Sequence, residues 1–155
     1  MKIHIIGGSG TGKTTLAVKL AREYAIVHYD LDELQWDNIA GDYGTKRDAA
    51  DRDALLREIL RQDDWIIEGV YYKWCAQCFE DADKIYLLST PRRTYRHRII
   101  MRYVKRKLHL EKGKKETIQS LRALLKWADK YQREDMVEIR KILSKYPQKT
   151  IEKRT

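Results

Sequence analysis

Nine consecutive residues, Gly7-Gly8-Ser9-Gly10-Thr11-Gly12-Lys13-Thr14-Thr15, carry the strongest chemical signal in the chain. Gly7-(x)4-Gly12-Lys13-Thr14 satisfies the whole Walker A pattern, with an apolar strand-like run before it and an amphipathic helical pattern after it. Glycines here let the backbone take conformations that larger residues resist, so successive N–H groups turn inward around phosphates. The following helix presents its unpaired N–H groups and positive dipole end to the same anions. Lys13 reaches the β and γ oxygens as a compact charge, and Thr14 offers its hydroxyl to Mg²⁺. The expected nucleotide-binding residues are therefore Gly8, Ser9, Gly10, Thr11, Gly12, Lys13, Thr14 and Thr15, with ATP and Mg²⁺ as cofactors. A Gly-rich turn matching by chance is the competing reading, and the intact Lys, Thr and flanking context oppose it.

Carboxylates follow at the ends of the next strand-like runs, where ligands of open α/β sheets sit. They are Asp30, Asp32 and Glu68. Asp30-Leu31-Asp32 places two acids on one side if the chain stays extended there. One acid can hold Mg²⁺ through water while the other accepts a proton from an acceptor hydroxyl. Either could instead be a helix N-cap. Glu68, directly after Trp65-Ile66-Ile67, is expected near the phosphate loop if its strand neighbours the first. The expected metal set is Thr14, Asp30 and Glu68, and the expected catalytic set is Lys13, Asp32, Arg98 and Arg102. Phosphoryl transfer asks mainly for positioning and charge neutralisation, which these groups can supply.

The formal net charge is +9, and the excess is local. Between Arg92 and Lys115, eleven Lys or Arg stand against one acid, Glu111. On a helix, Arg98, Arg102 and Lys105 fall within an arc of about 60°, with Arg106 close by and Ile99, Ile100, Tyr103, Val104 and Leu108 elsewhere. This stripe reads in three ways. It could be a lid whose arginines close over a triphosphate and exclude water, a nucleic-acid face in which Tyr95 and Tyr103 stack on bases, or a solvated charged surface. Cys75 and Cys78 form a Cys-x-x-Cys without the further ligands a zinc site needs. They read as two small apolar side chains on one helical face.

The elements that must position these groups alternate between strand-like and helical patterns, which favours a parallel sheet with helices on both faces. Strands are expected at Lys2–Ile6, Ala25–Tyr29, Trp65–Ile67, Lys84–Leu88 and, short and polar, Lys149–Glu152. Helices are expected at Lys13–Tyr24, Asp48–Arg61, Arg92–Leu108, Glu116–Lys130 and Glu134–Lys145. At 155 residues the chain has room for one domain, taken as residues 1–155, with a lid region at about 92–115. No apolar run approaches the ~20 residues of a membrane span. The apolar stretch in Met1–Gly7 is too short for a signal peptide, so a cytoplasmic protein, monomeric or weakly dimeric, is expected.

Gly7–Thr15, His28-Tyr29-Asp30-Leu31-Asp32, Trp65–Tyr71, and Ala82–Ile85 through Pro91-Arg92-Arg93 resemble the DNA topology modulation protein (FlaR-related) family of adenylate kinase-like P-loop kinases. The resemblance covers about residues 1–108. It implies a P-loop NTPase fold with a five-stranded parallel sheet, order 2-3-1-4-5, and an Arg-bearing helical lid after the fourth strand. Asp30-Leu31-Asp32 is similar to the Asp-x-Asp of shikimate kinases, whose first acid serves Mg²⁺ and second the acceptor. Ile66-Ile67-Glu68-Gly69 is similar to the Asp-Gly of adenylate kinases, with Glu in place of Asp. Such kinases continue past the fifth strand into a loop touching adenine, so the resemblance points to no base-contacting residue in this chain.

The expected activity is transfer of the γ-phosphoryl group of ATP to a small acceptor, a nucleotide, nucleoside or other hydroxylated metabolite. Residues 34–52 would wall the acceptor, with Arg47 and Arg52 either holding an anionic group or serving as ordinary surface residues. The alternative is a nucleotide-gated DNA- or RNA-binding protein that uses the 92–115 patch and has little or no kinase activity.

Overall fold

Isoleucines on both faces of the first strand set the layering. In the computed structural model, which describes residues 1–37, 45–110 and 117–155, β1 (Lys2–Gly7) lies at the centre of a five-stranded sheet. The strand order is β2-β3-β1-β4-β5, and every neighbouring pair is parallel. The remaining strands are β2 (His28–Asp30), β3 (Trp65–Gly69), β4 (Lys84–Ser89) and β5 (Thr150–Arg154). Side chains alternate across a strand. Ile3 and Ile5 therefore pack with Ala17 and Leu20 of α1 (Lys13–Tyr24), while Ile6 joins a larger cluster on the opposite face. That second cluster gathers Leu56, Ile59 and Leu60 of α3 (Ala49–Leu60), Phe79 of α4 (Ala76–Asp81), and Ile139 and Leu143 of α7 (Met136–Leu143). Helices thus cover both faces, as the alternating pattern predicts.

Local chemistry explains where the elements deviate from expectation. The second strand begins at His28, later than the expected Ala25, because Ala25 adopts the left-handed conformation (φ 55°) that ends α1. Asp30-Leu31-Asp32 does not stay extended. Leu31 opens a short helix, α2 (Leu31–Gln35), and Asp30 is its N-cap, accepting from Asp32 N–H at 2.8 Å. The capping alternative is therefore met by Asp30, and Asp48, expected as the first helical residue, is instead the N-cap of α3, accepting from Ala50 N–H. The basic helix α5 runs Arg92–Lys107 and α6 runs Ile118–Lys130, opened by a capping box between Thr117 and Ser120. No break separates α6 from α7. A π-helical turn, Tyr131–Asp135, carries one into the other. Such a turn inserts a residue into the helical ladder and so rotates the later residues about the helix axis.

Buried beneath α5 and α6 is a third cluster, Tyr95, Ile99 and Ala128, with Leu121, Leu124 and Leu125 packed on it. One carboxylate latches the two helices. Asp129 accepts from Tyr95 Oη at 2.6 Å, Arg92 Nη2 at 2.7 Å and Arg96 Nη1 at 2.8 Å. These donors, the Arg92 bond foremost, hold the Asp129 carboxyl well below the usual carboxylate range. Among the described residues no helix is long and apolar enough to cross a membrane.

The latch makes a stability prediction. Asp129→Ala strands the buried Tyr95 hydroxyl and is expected to cost about 1.5–3 kcal/mol at pH 7, measured by urea unfolding. A depressed carboxyl pKa stabilises above the unfolded value of ~4 and ceases to do so as pH falls towards the folded one. The gap between wild type and variant should accordingly narrow below about pH 4.

Candidate active site

The loop Gly7–Thr15 leaves β1 and enters α1, and two of its glycines, Gly10 (φ 76°) and Gly12 (φ 87°), take left-handed backbone. Gly12 is the N-cap of α1 and makes no side-chain cap bond, so the first N–H groups of the helix face the loop. Thr11 Oγ1 and Lys13 Nζ both donate to Gly8 O, at 2.8 and 3.0 Å. Burial lowers the Lys13 ammonium pKa from its ordinary value, and Glu68, Asp32 and Asp30, in that order, oppose the shift.

Parallel pairing brings the carboxylates to this loop. Glu68 stands opposite Ile5 of β1 and Asp30 of β2, so β3 carries an acid between the two neighbouring strands. Glu68 is 2% exposed and accepts from Thr14 Oγ1 at 2.5 Å. Asp30 is pushed up to about 7, first by burial and then by the charge on Glu68. Thr14, Asp30 and Glu68 are thus brought together. Among the described residues no group of three or more His, Cys, Asp or Glu is placed to hold a metal ion alone. The donor set fits Mg²⁺ nonetheless, because that ion is usually held by one or two carboxylates, a hydroxyl and phosphate oxygens while keeping waters. A carboxyl such as Asp30, pushed up in part by a neighbouring acid, is also what a cation would relieve.

Asp32 is exposed in the same cavity, about 1510 Å³, and accepts from Tyr71 Oη at 2.7 Å. Burial and that bond push the Tyr71 phenol up. From the far side α5 leans directly on the loop. A side chain at Gly10 would meet Tyr95 O at 2.8 Å and Ile99 Cγ1 at 3.3 Å. Arg98 Nη1 donates to Gly10 O at 3.2 Å, and Arg102 Nη2 reaches Ser9 Oγ at 3.5 Å. The four expected catalytic residues, Lys13, Asp32, Arg98 and Arg102, line one cavity.

Other expected groups lie elsewhere. Arg47 and Arg52 are bonded within their own wall, to Leu34 O and Glu33 O and to Asp53 and Gln35 respectively. Of the basic segment 92–115, Arg92 and Arg96 pair with Asp129, while Lys112, Lys114 and Lys115 lie outside the described residues, as does part of the expected wall, residues 38–44. Cys75 and Cys78 are free thiols, fully buried. Cys75 Sγ donates to Tyr71 O at 3.0 Å, and contact with Cys75 together with burial pushes the Cys78 thiol up.

Sequence reasoning passes over several residues at this site. Trp36, Tyr71 and Trp127 line the cavity. Tyr131 and Gln132 of the π-helical turn press on Gly8, where an added Cβ would lie 3.1 Å from Tyr131 Cδ1 and 2.9 Å from Gln132 Nε2. Tyr131 Oη also donates to Val70 O at 2.8 Å. Trp36 and Tyr71 could have been found as large aromatics within a few residues of the strand-end acids. Nothing in a 3.6-residue periodicity marks the π-helical turn.

No family model matches the chain. It is 29% identical over 106 residues to an uncharacterized protein of Bacillus subtilis, YqaC, covering 65% of this chain and 58% of that protein. It is 32% identical over 68 residues to adenylate kinase isoenzyme 5 of Bos taurus, covering 44% of this chain and 11% of that one. The chain therefore spans little more than half of the first relative and a small part of the second. Among solved structures, a shikimate kinase from Bacteroides thetaiotaomicron superposes with a TM-score of 0.51 at 18% identity, covering 86% of this chain and 79% of that chain. The likeness establishes the fold, a P-loop kinase-like parallel sheet with flanking helices. The topology-modulation resemblance finds no support in these matches.

Proposed function

We propose that this chain is an ATP- and Mg²⁺-dependent phosphotransferase acting on a small hydroxylated acceptor. The observation that carries the proposal is the convergence of Lys13, Thr14, Asp30, Asp32 and Glu68 on one cavity at the mouth of a Gly-rich anion loop. Lys13 neutralises the β and γ phosphates. Thr14, Asp30 and Glu68 hold Mg²⁺, which when bound spreads the charge of those phosphate oxygens. Asp32, oriented by the Tyr71 hydroxyl, receives the acceptor's proton. Arg98 and Arg102 face the transferred group from α5, the described part of the expected lid. A shell of this kind stabilises charge that develops on the phosphoryl oxygens.

The nucleic-acid alternative needs a continuous free cationic stripe on α5. Pairing of Arg92 and Arg96 with Asp129, and the reach of Arg98 and Arg102 to the loop, weigh against it.

Three measurements test the proposal. At a hundred times its Kd, Mg·ATP or Mg·GTP should stabilise the protein by ~2.7 kcal/mol in a thermal-shift titration, and Lys13→Ala should abolish the response. Absence of any triphosphate response in the wild-type protein would overturn the reading. Asp32→Asn should keep that response while lowering phosphoryl transfer roughly 10²–10⁴-fold.

The third measurement uses pH. Asp30 keeps its proton to about 7 in the folded protein, whereas an unfolded Asp loses it near ~4. The native state binds more protons across that window, so stability falls as pH rises through it and stays at the lower level above it. Asp30→Asn keeps the N-cap and removes the ionisation. The variant should match wild type at pH 4, exceed it in stability at pH 8, and lose part of the Mg²⁺-dependent stabilisation by triphosphate.

A further inference from the structure

Buried donors without acceptors are uncommon, because nothing offsets the hydration they lose, and those that occur call for a specific explanation. Gln132 Nε2 is one of them. It is shielded from solvent and has no hydrogen-bond partner among the described residues. Its neighbours in the π-helical turn are already bonded or exposed. Tyr131 Oη donates to Val70 O at 2.8 Å, Asp135 Oδ1 accepts from Tyr72 Oη at 2.7 Å, and Glu134 pairs with Lys130 at 3.8 Å. Arg133 is exposed. Single π-helical turns of this kind occur frequently at functional sites.

What Gln132 abuts is Gly8. A Cβ on that glycine would lie 2.9 Å from Gln132 Nε2 and 3.1 Å from Tyr131 Cδ1. The Gly8 carbonyl has two lone pairs, and both are taken, by Thr11 Oγ1 at 2.8 Å and Lys13 Nζ at 3.0 Å. The amide therefore touches the residue that holds the loop's cation, and the cation stands on the acceptor the amide lacks. Lys13 is needed elsewhere, on the β and γ oxygens of a triphosphate. Gly8 is buried, so its carbonyl has no water to turn to once the ammonium leaves it. The terminal torsion of a glutamine is broad, and its NH₂ can swing without movement of the helix.

We propose that Gln132 is a positioning residue that exchanges with Lys13 on Gly8 O, a role that rests on the phosphotransferase reading of the loop. As the ammonium turns to the phosphates, the Gln132 amide donates to the lone pair it vacates. The loop keeps its shape while its lysine is in use. No proton changes owner, and a neutral amide adds no charge beside the phosphates. Because Nε2 is shielded from solvent, it acts through Gly8 and does not touch the phosphates.

Gln132→Met keeps the length of the side chain and removes the donor. Without nucleotide, the variant should unfold in urea at a midpoint no lower than wild type, since it buries no unpaired donor. It should nonetheless bind Mg·ATP about tenfold more weakly, because the loaded loop is left with an unpaired carbonyl. A merely structural amide would instead lower the midpoint. A second test needs no nucleotide. Lys13→Met removes the ammonium from Gly8 O, so Gln132→Met should lower the urea midpoint in that background and not in wild type, a non-additivity read from a double-mutant cycle. A lowered midpoint or failure to fold in the single Gln132 variant, an unchanged affinity for Mg·ATP, or additive changes in the cycle each overturn the proposal. If Lys13→Met does not fold, the affinity comparison decides. If neither Mg·ATP nor Mg·GTP stabilises the wild-type protein, the phosphotransferase reading falls, and the cycle alone decides whether the amide takes Gly8 O.

Discussion

A carboxylate that is 2% exposed, Glu68, sits where the Gly-rich loop Gly7–Thr15 opens, and much of the site is arranged around that placement. Burying an unpaired charge is costly, so the chain must supply partners or a proton. It supplies the Thr14 hydroxyl at 2.5 Å and the Lys13 ammonium nearby. Asp30, one strand over, bears part of the cost, since the Glu68 charge helps hold its own proton on to about 7. Lys13 is drawn two ways, lowered by burial and raised by three acids. A triphosphate would add anion beside Lys13, and a divalent cation would relieve the acids, so the two ligands complement each other's electrostatic effect.

The same loop is constrained from above. Close packing of Tyr95 and Ile99 on Gly10 leaves no room for a side chain there, and Asp129 gathers Arg92, Tyr95 and Arg96 onto α6. The first turns of α5 are therefore fixed, and the cations at 98 and 102 are presented to the loop by a rigid base. The polar end of β5 closes the ring. Thr155 Oγ1 donates to Thr11 O at 2.9 Å, is bonded to Thr90 Oγ1 at 2.5 Å, and accepts from Arg98 Nη1 at 3.4 Å.

Much of this was legible in the residues, for identifiable reasons. The Walker A spacing fixes a backbone geometry through glycine and a helix N-terminus, so Gly7–Thr15 could be placed without any tertiary information. Glu68 was legible because its strand is a continuous apolar run and acids at strand ends face the ligand side of such sheets. Asp30-Leu31-Asp32 was legible in position and misleading in conformation. Its two acids share the cavity, yet Asp30 turns its side chain to the Asp32 N–H and begins a helix. Local capping won over strand continuation. The fate of Arg47 and Arg52 was not legible, because partners such as Glu33 O and the Trp74 ring are set by packing and have no sequence signature. The sheet order came from resemblance, since alternation alone leaves the strand permutation open.

The π-helical turn shows why the remainder lay beyond sequence reading. A regular helix would keep the 3.6-residue phase from Leu121 through Leu143, whereas the sequence reads as two separate amphipathic helices, Glu116–Lys130 and Glu134–Lys145. The structure instead widens one turn at Tyr131–Asp135. That change of phase lets Met136, Ile139 and Leu143 stay in the sheet-facing core while Tyr131 and Gln132 lie against Gly8. Tyr131 then spans from the phosphate loop to Val70 O, and Tyr72 Oη donates to Asp135 Oδ1 at 2.7 Å in the same turn. Trp127, one turn earlier, packs 5.2 Å from the Tyr131 ring and lines the cavity. A single helical segment therefore touches the Gly-rich loop with Tyr131 and Gln132 and lines the cavity with Trp127. Its irregular backbone is what allows both contacts, so Gly8 and Val70 cannot shift independently without loss of packing around Tyr131.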